Sequence, residues 1–266
     1  SGKTYHETAE GDFWRLSVFI PRTQSFAQVT PKNAYDAGLA FGNFESMLTD
    51  VDETLGETIP DFHNMELRIR QLREAVLADV AGRLTEVRPL VDLLESHAEA
   101  MCRAEVLYRE GRLPKRICHC DTKVNNMLFD EAGGVLCVID LDTVMPSFIF
   151  SDYGDFLRTA ANATREDDPD IDHVSLRWDV VESFTKGYIE GTHHFLLPIE
   201  RELLPFAMQL FPYMQCVRFP TDYINGDTYY KTTYPAHNLD RARNQYRLFE
   251  LTLAGQDRLQ HFIDTL

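Results

Sequence analysis

The sequence predicts an α+β fold: a mainly helical lobe with a small β-hairpin at its centre and another hairpin at its start. Three observations predict it. Apolar residues recur at helical spacing along most of the chain. That period gives way to short apolar runs between residues 116 and 139. The opening segment alternates around a turn that contains glycine. With 266 residues, 44% of them hydrophobic, the chain can bury a sizeable core in one large domain, or in a domain with a fragment of another.

In chain order, residues 4–6 and 13–20 form the first hairpin, turned by Glu10-Gly11-Asp12 and ended by Pro21. Thr30-Pro31 joins an N-cap to proline at the first helical position. Ala34, Ala37, Leu39, Phe41, Phe44, Met47 and Leu48 give that helix a broad apolar face. Gly38 and Gly42 fall inside its pattern and so are not a phosphate loop. Helices are expected over 63–84 and 89–110, with Gly111 closing the second. Strands are expected over 116–120, 127–130 and 135–139, the last two joined by the turn Glu131-Ala132-Gly133-Gly134. Helices resume over 151–161, 179–189, 199–215 and 239–265. Residues 165–172 read as a solvated acidic loop. Residues 219–237, rich in Tyr, Thr, Asn and Gly, read as a long loop of the kind that carries function. No internal repeat and no low-complexity tract interrupts this order.

The formal net charge is -16. So acidic a surface argues against nucleic acid or an anionic membrane as the main partner. It leaves a nucleotide open, since that site needs only local positive charge, much of which Mg²⁺ can supply. Five cysteines, an odd number in a chain of this length, suit reduced thiols and a cytoplasmic location rather than a disulfide framework. Cys118, His119 and Cys120 would alternate faces on a strand and cannot converge on one ion, so the cysteines, Cys137 among them, are packing residues. No apolar run reaches membrane-spanning length, and no signal peptide is visible.

The chemistry concentrates between residues 117 and 143. If 127–130 and 135–139 pair across the four-residue turn, Asp130 faces Val135, and counting back sets Asn126 beside Ile139 and Asp140. Asn126 and Asp140 then share the open end of the hairpin and offer the hard oxygen ligands that Mg²⁺ prefers. Asp121, in the loop that feeds the hairpin, can reach a substrate hydroxyl while the other two hold metal-bound phosphates. Phosphoryl transfer needs that division, with charge neutralised on one side and the nucleophile oriented on the other. Singly, each of these residues is an ordinary turn or cap residue. Jointly they are harder to explain so, because Asp140 and Asp142 interrupt the end of an apolar run, where an unpaired carboxylate is costly.

His119-x-Asp121-x4-Asn126 resembles the catalytic loop of protein kinases and, more closely, of the aminoglycoside phosphotransferase and choline kinase group. Ile139-Asp140-Leu141-Asp142 resembles the metal-binding motif that follows it. Asp152-Tyr153-Gly154-Asp155-Phe156-Leu157 resembles the downstream segment whose Asp braces the catalytic loop. Within that group, the runs 119–126 and 138–146, with Asp222-Tyr223-Ile224-Asn225-Gly226-Asp227, look like those of the N-acetylhexosamine 1-kinases, which transfer phosphate from ATP to the 1-hydroxyl of GlcNAc or GalNAc. The resemblance extends from the first hairpin to the final helix.

It implies a protein-kinase-like fold of the aminoglycoside phosphotransferase type, with 21–266 as the helical catalytic C-lobe and 1–20 as a remnant hairpin of the N-lobe leading into the hinge. It implies ATP and Mg²⁺ as cofactors and a small sugar as acceptor. Asp121 would be the catalytic base or orienting carboxylate, and Asn126 and Asp140 the metal ligands, with Asp142 in support. His119 and Asp155 would be structural supports. Thr122, Arg218 and Tyr229 would join Asp121 in contacting the sugar, and backbone groups near Val18 and Phe19 would meet the adenine. An aromatic ring and a bidentate donor suit a polar ring with apolar faces. The oligomeric state is left open.

A complete kinase fold also carries a Gly-rich loop over the phosphates and a lysine on a neighbouring strand. Neither is found upstream. Gly2-Lys3-Thr4 imitates the end of a P-loop but lacks a preceding strand and a following helix. With a start at Ser1, the expectation is that most of an N-lobe has been lost, which the intact mass of the expressed gene product checks. Two alternatives stand beside the sugar kinase. One is a kinase for another small hydroxyl compound, such as choline, an aminoglycoside or homoserine. The other is a non-catalytic pseudokinase that binds a sugar or nucleotide. A cationic acceptor needs an aromatic cage or clustered carboxylates, whereas the Arg, Tyr, Asn and Thr around 219–237 suit a neutral polyol. Intact Asp121, Asn126 and Asp140 argue against a pseudokinase.

Overall fold

The computed structural model describes residues 4–26, 29–52 and 55–266; Gly2 and Lys3 lie outside them. The helical lobe begins as the sequence expects. Thr30 accepts from Asn33 N, and Pro31 opens α1 (Pro31–Met47). Helix α1 lies along α6 (Trp178–Thr192) through facing glycines. A Cβ on Gly187 would stand 2.1 Å from Tyr35 O, and one on Gly38 would stand 2.3 Å from Phe184 O. A side chain at either place would force the helices apart. This close approach turns the buried stripe of α1 onto Ala34, Ala37, Gly38, Phe41, Gly42 and Glu45. Met47, expected on the apolar face, is exposed instead.

The expected helices over 63–84 and 89–110 divide differently. Asn64 caps α2 (Met65–Ala78) by accepting from Leu67 N, and Asp79 ends it in the left-handed region. The same Asp79 side chain then accepts from Arg83 N and Leu84 N. That cap starts α3 (Leu84–Met101) well before Pro89, and Cys102 separates it from α4 (Arg103–Arg109).

Helix α8 (Leu204–Ile224), which follows the short α7 (Pro198–Glu202), is the axis of the core. It is buried on nearly every side and packs against α2, α3, α5 (Phe150–Ala160) and α9 (His237–Ala254). It runs through Pro212 and Pro220, so the expected loop over 219–237 begins only after Ile224. Packing from all sides overrides the proline penalty, and the Thr221 hydroxyl donates back to Val217 O at 2.7 Å. Gly255 breaks the last expected helix into α9 and α10 (Gln256–Asp264), where a Cβ would stand 2.4 Å from the Trp178 ring. The acidic loop over 165–172 is less solvated than expected. Asn244 Nδ2 donates to Arg165 O and Asp168 O, and Glu166 pairs with Arg158.

The strands are short. The N-terminal pair is β1 (His6–Glu7) with β2 (Phe13–Trp14), turned through Gly11 at φ +89°. The expected strand over 13–20 therefore ends at Trp14. Beyond it no ladder forms among the described residues, and Leu16, Val18 and Phe19 are exposed. The chain rejoins the lobe at Gln24, which exchanges backbone hydrogen bonds with Phe129 at 2.9 and 3.1 Å. At the centre, β3 (Arg116–Cys118) pairs with β6 (Met145–Ser147), and β4 (Met127–Phe129) pairs with β5 (Val135–Val138), both antiparallel. Strand β6 escapes sequence reading because Pro146 argues against a strand; the two-stranded sheet leaves it an edge.

Candidate functional site

The two strand pairs frame one loop, 119–126, with β3 leading in and β4 leading out. The β4–β5 register opposes Met127 to Val138 and Leu128 to Cys137, then shifts so that Phe129 faces Val135. The irregularity moves Asp130 onto Gly134, whose carbonyl accepts from Asp130 N at 2.8 Å, and not onto Val135 as counted from sequence. At the open end the count holds, since Ile139 N donates to Asn126 O at 2.9 Å.

The loop is fastened from below. Asp152, in the first turn of α5 and fully buried, accepts from His119 N and Cys120 N, each at 2.7 Å. Its carbonyl accepts from the Thr122 hydroxyl at 2.6 Å. The Thr143 hydroxyl donates to His119 O at 2.8 Å. His119 Nε2 lies 2.9 Å from Ile139 O, which can only accept, so Nε2 carries the proton and Nδ1 accepts from Asp121 N at 3.3 Å. Cys120 sits at φ +65°, a conformation that a non-glycine residue holds only when its surroundings impose it. The bond to Asp152 imposes it here. Cys118 and Cys120 pack on Met145, and all five cysteines are free thiols.

So fastened, Asp121 keeps its side chain 31% exposed at the loop surface. Asn126 Nδ2 donates to its carbonyl at 2.8 Å and to its Oδ2 at 2.9 Å. Lys123 Nζ lies 2.8 Å from the same Oδ2. Lys123 is extended, at φ -143° and ψ 157°, so residues 121 and 123 point to one side. A cavity of about 790 Å³ opens beside them, lined also by Arg158, Glu166 and Arg177.

The hairpin end offers oxygen donors. Asn126 commits its nitrogen to Asp121, and its Oδ1 meets no donor among the described residues. Asp140, at φ +62°, exposes a carboxylate with no partner among the described residues. Asp142 pairs with Arg15 of the N-terminal segment. Hard, unspent oxygens on Asn126 and Asp140 fit a small divalent cation, and Asp142 would have to share its carboxylate between that cation and Arg15.

Six of the residues picked out from sequence sit elsewhere. Thr122 is buried and spends its hydroxyl on Asp152 O, so it fastens the loop instead of facing a substrate. The brace is Asp152 and not Asp155, which turns instead to Arg158 at 3.0 Å. Burial, set against the Arg158 charge and joined by repulsion from Asp121, pushes Asp155 up to about 6. Arg218 does not meet Asp121 in one cavity. Its guanidinium lies 5.4, 5.8 and 5.5 Å from the Phe62, Tyr229 and Tyr230 rings. It and Tyr229 line a second cavity of about 430 Å³ with Arg68, Thr221 and Asn225. Arg158 and Glu166, on the wall of the first cavity, act electrostatically on Tyr230 in the second. Val18 and Phe19 are exposed and lie in neither cavity.

Sequence reading misses Lys123 and Thr143. For Lys123 the signal is there: a cation two residues from a carboxylate on an extended run shares its face. It also misses Glu45, an acid placed four residues after Phe41 on the buried stripe of α1.

The phosphotransferase enzyme family is matched over residues 3–188. Two solved structures superpose on most of the chain. The choline/ethanolamine kinase family protein of Mesorhizobium loti gives a TM-score of 0.51 at 14% identity, covering 95% of this chain and 77% of its own. A Ralstonia eutropha JMP134 protein described as an aminoglycoside phosphotransferase gives 0.53 at 14% identity, covering 92% of this chain and 72% of its own. At such identity the likeness is one of fold, and the fold is the kinase-like one.

Proposed function

The chain belongs to the phosphotransferase enzyme family, and from that premise we propose that it is the catalytic lobe of a small-molecule kinase that uses ATP and Mg²⁺ to phosphorylate the 1-hydroxyl of an N-acetylhexosamine, GlcNAc or GalNAc. The observation that carries the reading is Asp121. Its part-exposed carboxylate lines a large cavity, on a braced loop, beside a hairpin end with unspent oxygen ligands. Asp121 Oδ1 takes no part in the bonds to Lys123 and Asn126, which both fall on Oδ2. That oxygen is the one to accept the acceptor hydroxyl's proton as the hydroxyl oxygen attacks phosphorus. Lys123 and Asn126 fix the carboxylate's orientation, and the Lys123 ammonium adds positive charge where phosphoryl oxygens gather. Asn126 and Asp140 would hold Mg²⁺, with Asp142 in support; when bound it supplies charge neutralisation for the phosphates.

The acceptor sugar belongs, in this reading, beside Asp121, with Arg218 and Tyr229 reading its far side from the adjoining cavity. The aromatic rings there already enclose the Arg218 guanidinium, which disfavours a quaternary ammonium acceptor such as choline. Thr221, Thr228 and Asn225 offer hydroxyl and amide partners to a neutral polyol. The test is ADP release by the full-length protein against a panel of sugars and other alcohols. Release with GlcNAc or GalNAc, lost in Asp121→Asn, is the expected result. Release only with choline, an aminoglycoside or homoserine would overturn the sugar assignment and keep the kinase. No release with any acceptor would favour a binding protein.

A further inference from the structure

Behind the catalytic loop two carboxyl groups meet in the core. Glu45 of α1 is 2% exposed and Asp152 of α5 is 0% exposed. Their oxygens and Cys118 Sγ lie within 4.8 Å of one another, which brings the two carboxyls close enough to share a hydrogen bond. Such a bond needs a proton on one of them. Asp152 already accepts at both oxygens, from His119 N and Cys120 N, so the proton belongs to Glu45. Tyr188 of α6 points the same way. Its hydroxyl oxygen stands 2.8 Å from Ile149 O, which can only accept, and 3.0 and 2.8 Å from the two oxygens of Glu45, so its one hydrogen cannot serve both sides. However the two hydrogens are shared, the carboxyl pair keeps one proton and one negative charge.

Of the groups that could relieve a second charge, the His119 ring acts on Asp152, but its Nδ1 accepts from Asp121 N and so carries no second proton. Arg116 of β3 acts on Glu45 but is bidentate to the buried Glu200, at 2.7 and 3.0 Å, and Glu200 repels Glu45. Lys115, which lines a cavity with Glu45, pairs with Glu57 at 2.9 Å. Burial holds Cys118 and Cys120 as thiols. That also argues against a metal between Glu45, Cys118 and Asp152, since Asp152 is spent on amides and the thiol is protonated. Burial first, and then the Asp152 charge, lift Glu45 well above the ordinary carboxyl range.

We infer that Glu45 is a positioning residue for the phosphoryl transfer: its proton keeps the Asp152 carboxylate aimed at His119 N and Cys120 N, and losing that proton in alkaline solution releases the loop that carries Asp121. The effect on rate rests on the kinase reading; the effect on the loop does not. The acid holds its proton in the folded state and gives it up in the unfolded one. Rising pH above the ordinary value of 4.5 therefore favours unfolding until the folded group itself ionises.

The experiment compares the full chain with Glu45→Gln, which keeps the hydrogen bond and cannot ionise. Amide exchange at His119 and Cys120, corrected for intrinsic rates, should lose about tenfold protection or more with rising alkalinity in the wild type and stay flat in the variant. The unfolding equilibrium of the wild type, relative to the variant, should shift by about tenfold per pH unit above the ordinary carboxyl value. Infrared spectra followed upward from about pH 8, once Asp155 and Glu105 (pushed up to about 6 and about 7) have ionised, should show in the wild type a protonated carboxyl that disappears together with the protection of His119 and Cys120, and none in the variant. A carboxyl band that survives Glu45→Gln, or exchange with the same pH dependence in both proteins, would overturn the inference. If the variant does not fold, absence of the band from the wild type overturns it and presence supports it. Where an acceptor has been found, the alkaline fall in kcat should move to higher pH in Glu45→Gln with KM unchanged. Failure to find any acceptor would sink the kinase reading and leave the exchange and infrared results to decide this one.

Discussion

The loop that carries Asp121 and the hairpin end that carries Asp140 are neighbours held in opposite ways. Each contains a non-glycine residue in the left-handed region, Cys120 at φ +65° and Asp140 at φ +62°. Cys120 is buried, and a carboxylate accepts its amide. Asp140 is exposed and its side chain meets nothing among the described residues. The loop thus spends its ordering cost in folding, through Asp152, Thr143 and Ile139. The hairpin end leaves its cost unmet in the folded chain. Orientation of a nucleophile gains most when the loop is already rigid before binding, whereas phosphates and a cation carry enough charge to order their own ligands.

The largest effect should come from breaking the rigid side. Asp152→Asn replaces one acceptor oxygen with an NH₂ group facing a backbone N–H. Denaturant unfolding should show a loss of about 1–3 kcal/mol, and any phosphotransfer should fall at least about tenfold. A variant as stable and as active as the wild type would end the distinction drawn between the two regions.

A change on the soft side should separate activity from stability. Asparagine tolerates the left-handed backbone, so Asp140→Asn should leave unfolding within about 0.5 kcal/mol while the divalent-cation requirement for activity rises sharply. A large stability loss would mean that this end, too, is built into the core. The smallest effect is expected at Arg15, whose ion pair with Asp142 is more than half exposed on both sides. Arg15→Gln should change stability by less than about 1 kcal/mol and lower the cation concentration needed for half-maximal rate, because Asp142 no longer shares its carboxylate. An unchanged cation titration would remove Asp142 from the site.

The same contrast explains what sequence reasoning reaches. The spacing of His119, Asp121 and Asn126 and the hairpin count to Ile139 involve residues a few positions apart, and the structure keeps them. Even the miscount at Asp130 is local, a bulge beside the turn that leaves the open end in register. The misreadings arise where the partner is distant. A strand over 13–20 is a sound reading of alternation, but a strand needs a neighbour to bond, and Trp14 is the last residue that has one. The loop over 219–237 is a sound reading of a run rich in Tyr, Thr, Asn and Gly, but helices on several sides hold α8 to Ile224. Asp155 looks as good a brace as Asp152, since both lie in one helical segment. Only the path of the loop 119–122 past the start of α5 selects between them.

By itself the sequence determined the Thr30 cap of α1, the order of the central hairpin, the loop spacing and the oxygen chemistry at its end. These follow from energies among residues within about one turn of each other. Tertiary structure alone decided that Asp152, 33 residues from His119, braces the loop, and that Glu45, 143 residues from Tyr188, stands behind it. A carboxyl's role depends on whether water, an amide or another acid surrounds it, and only the folded chain supplies those surroundings.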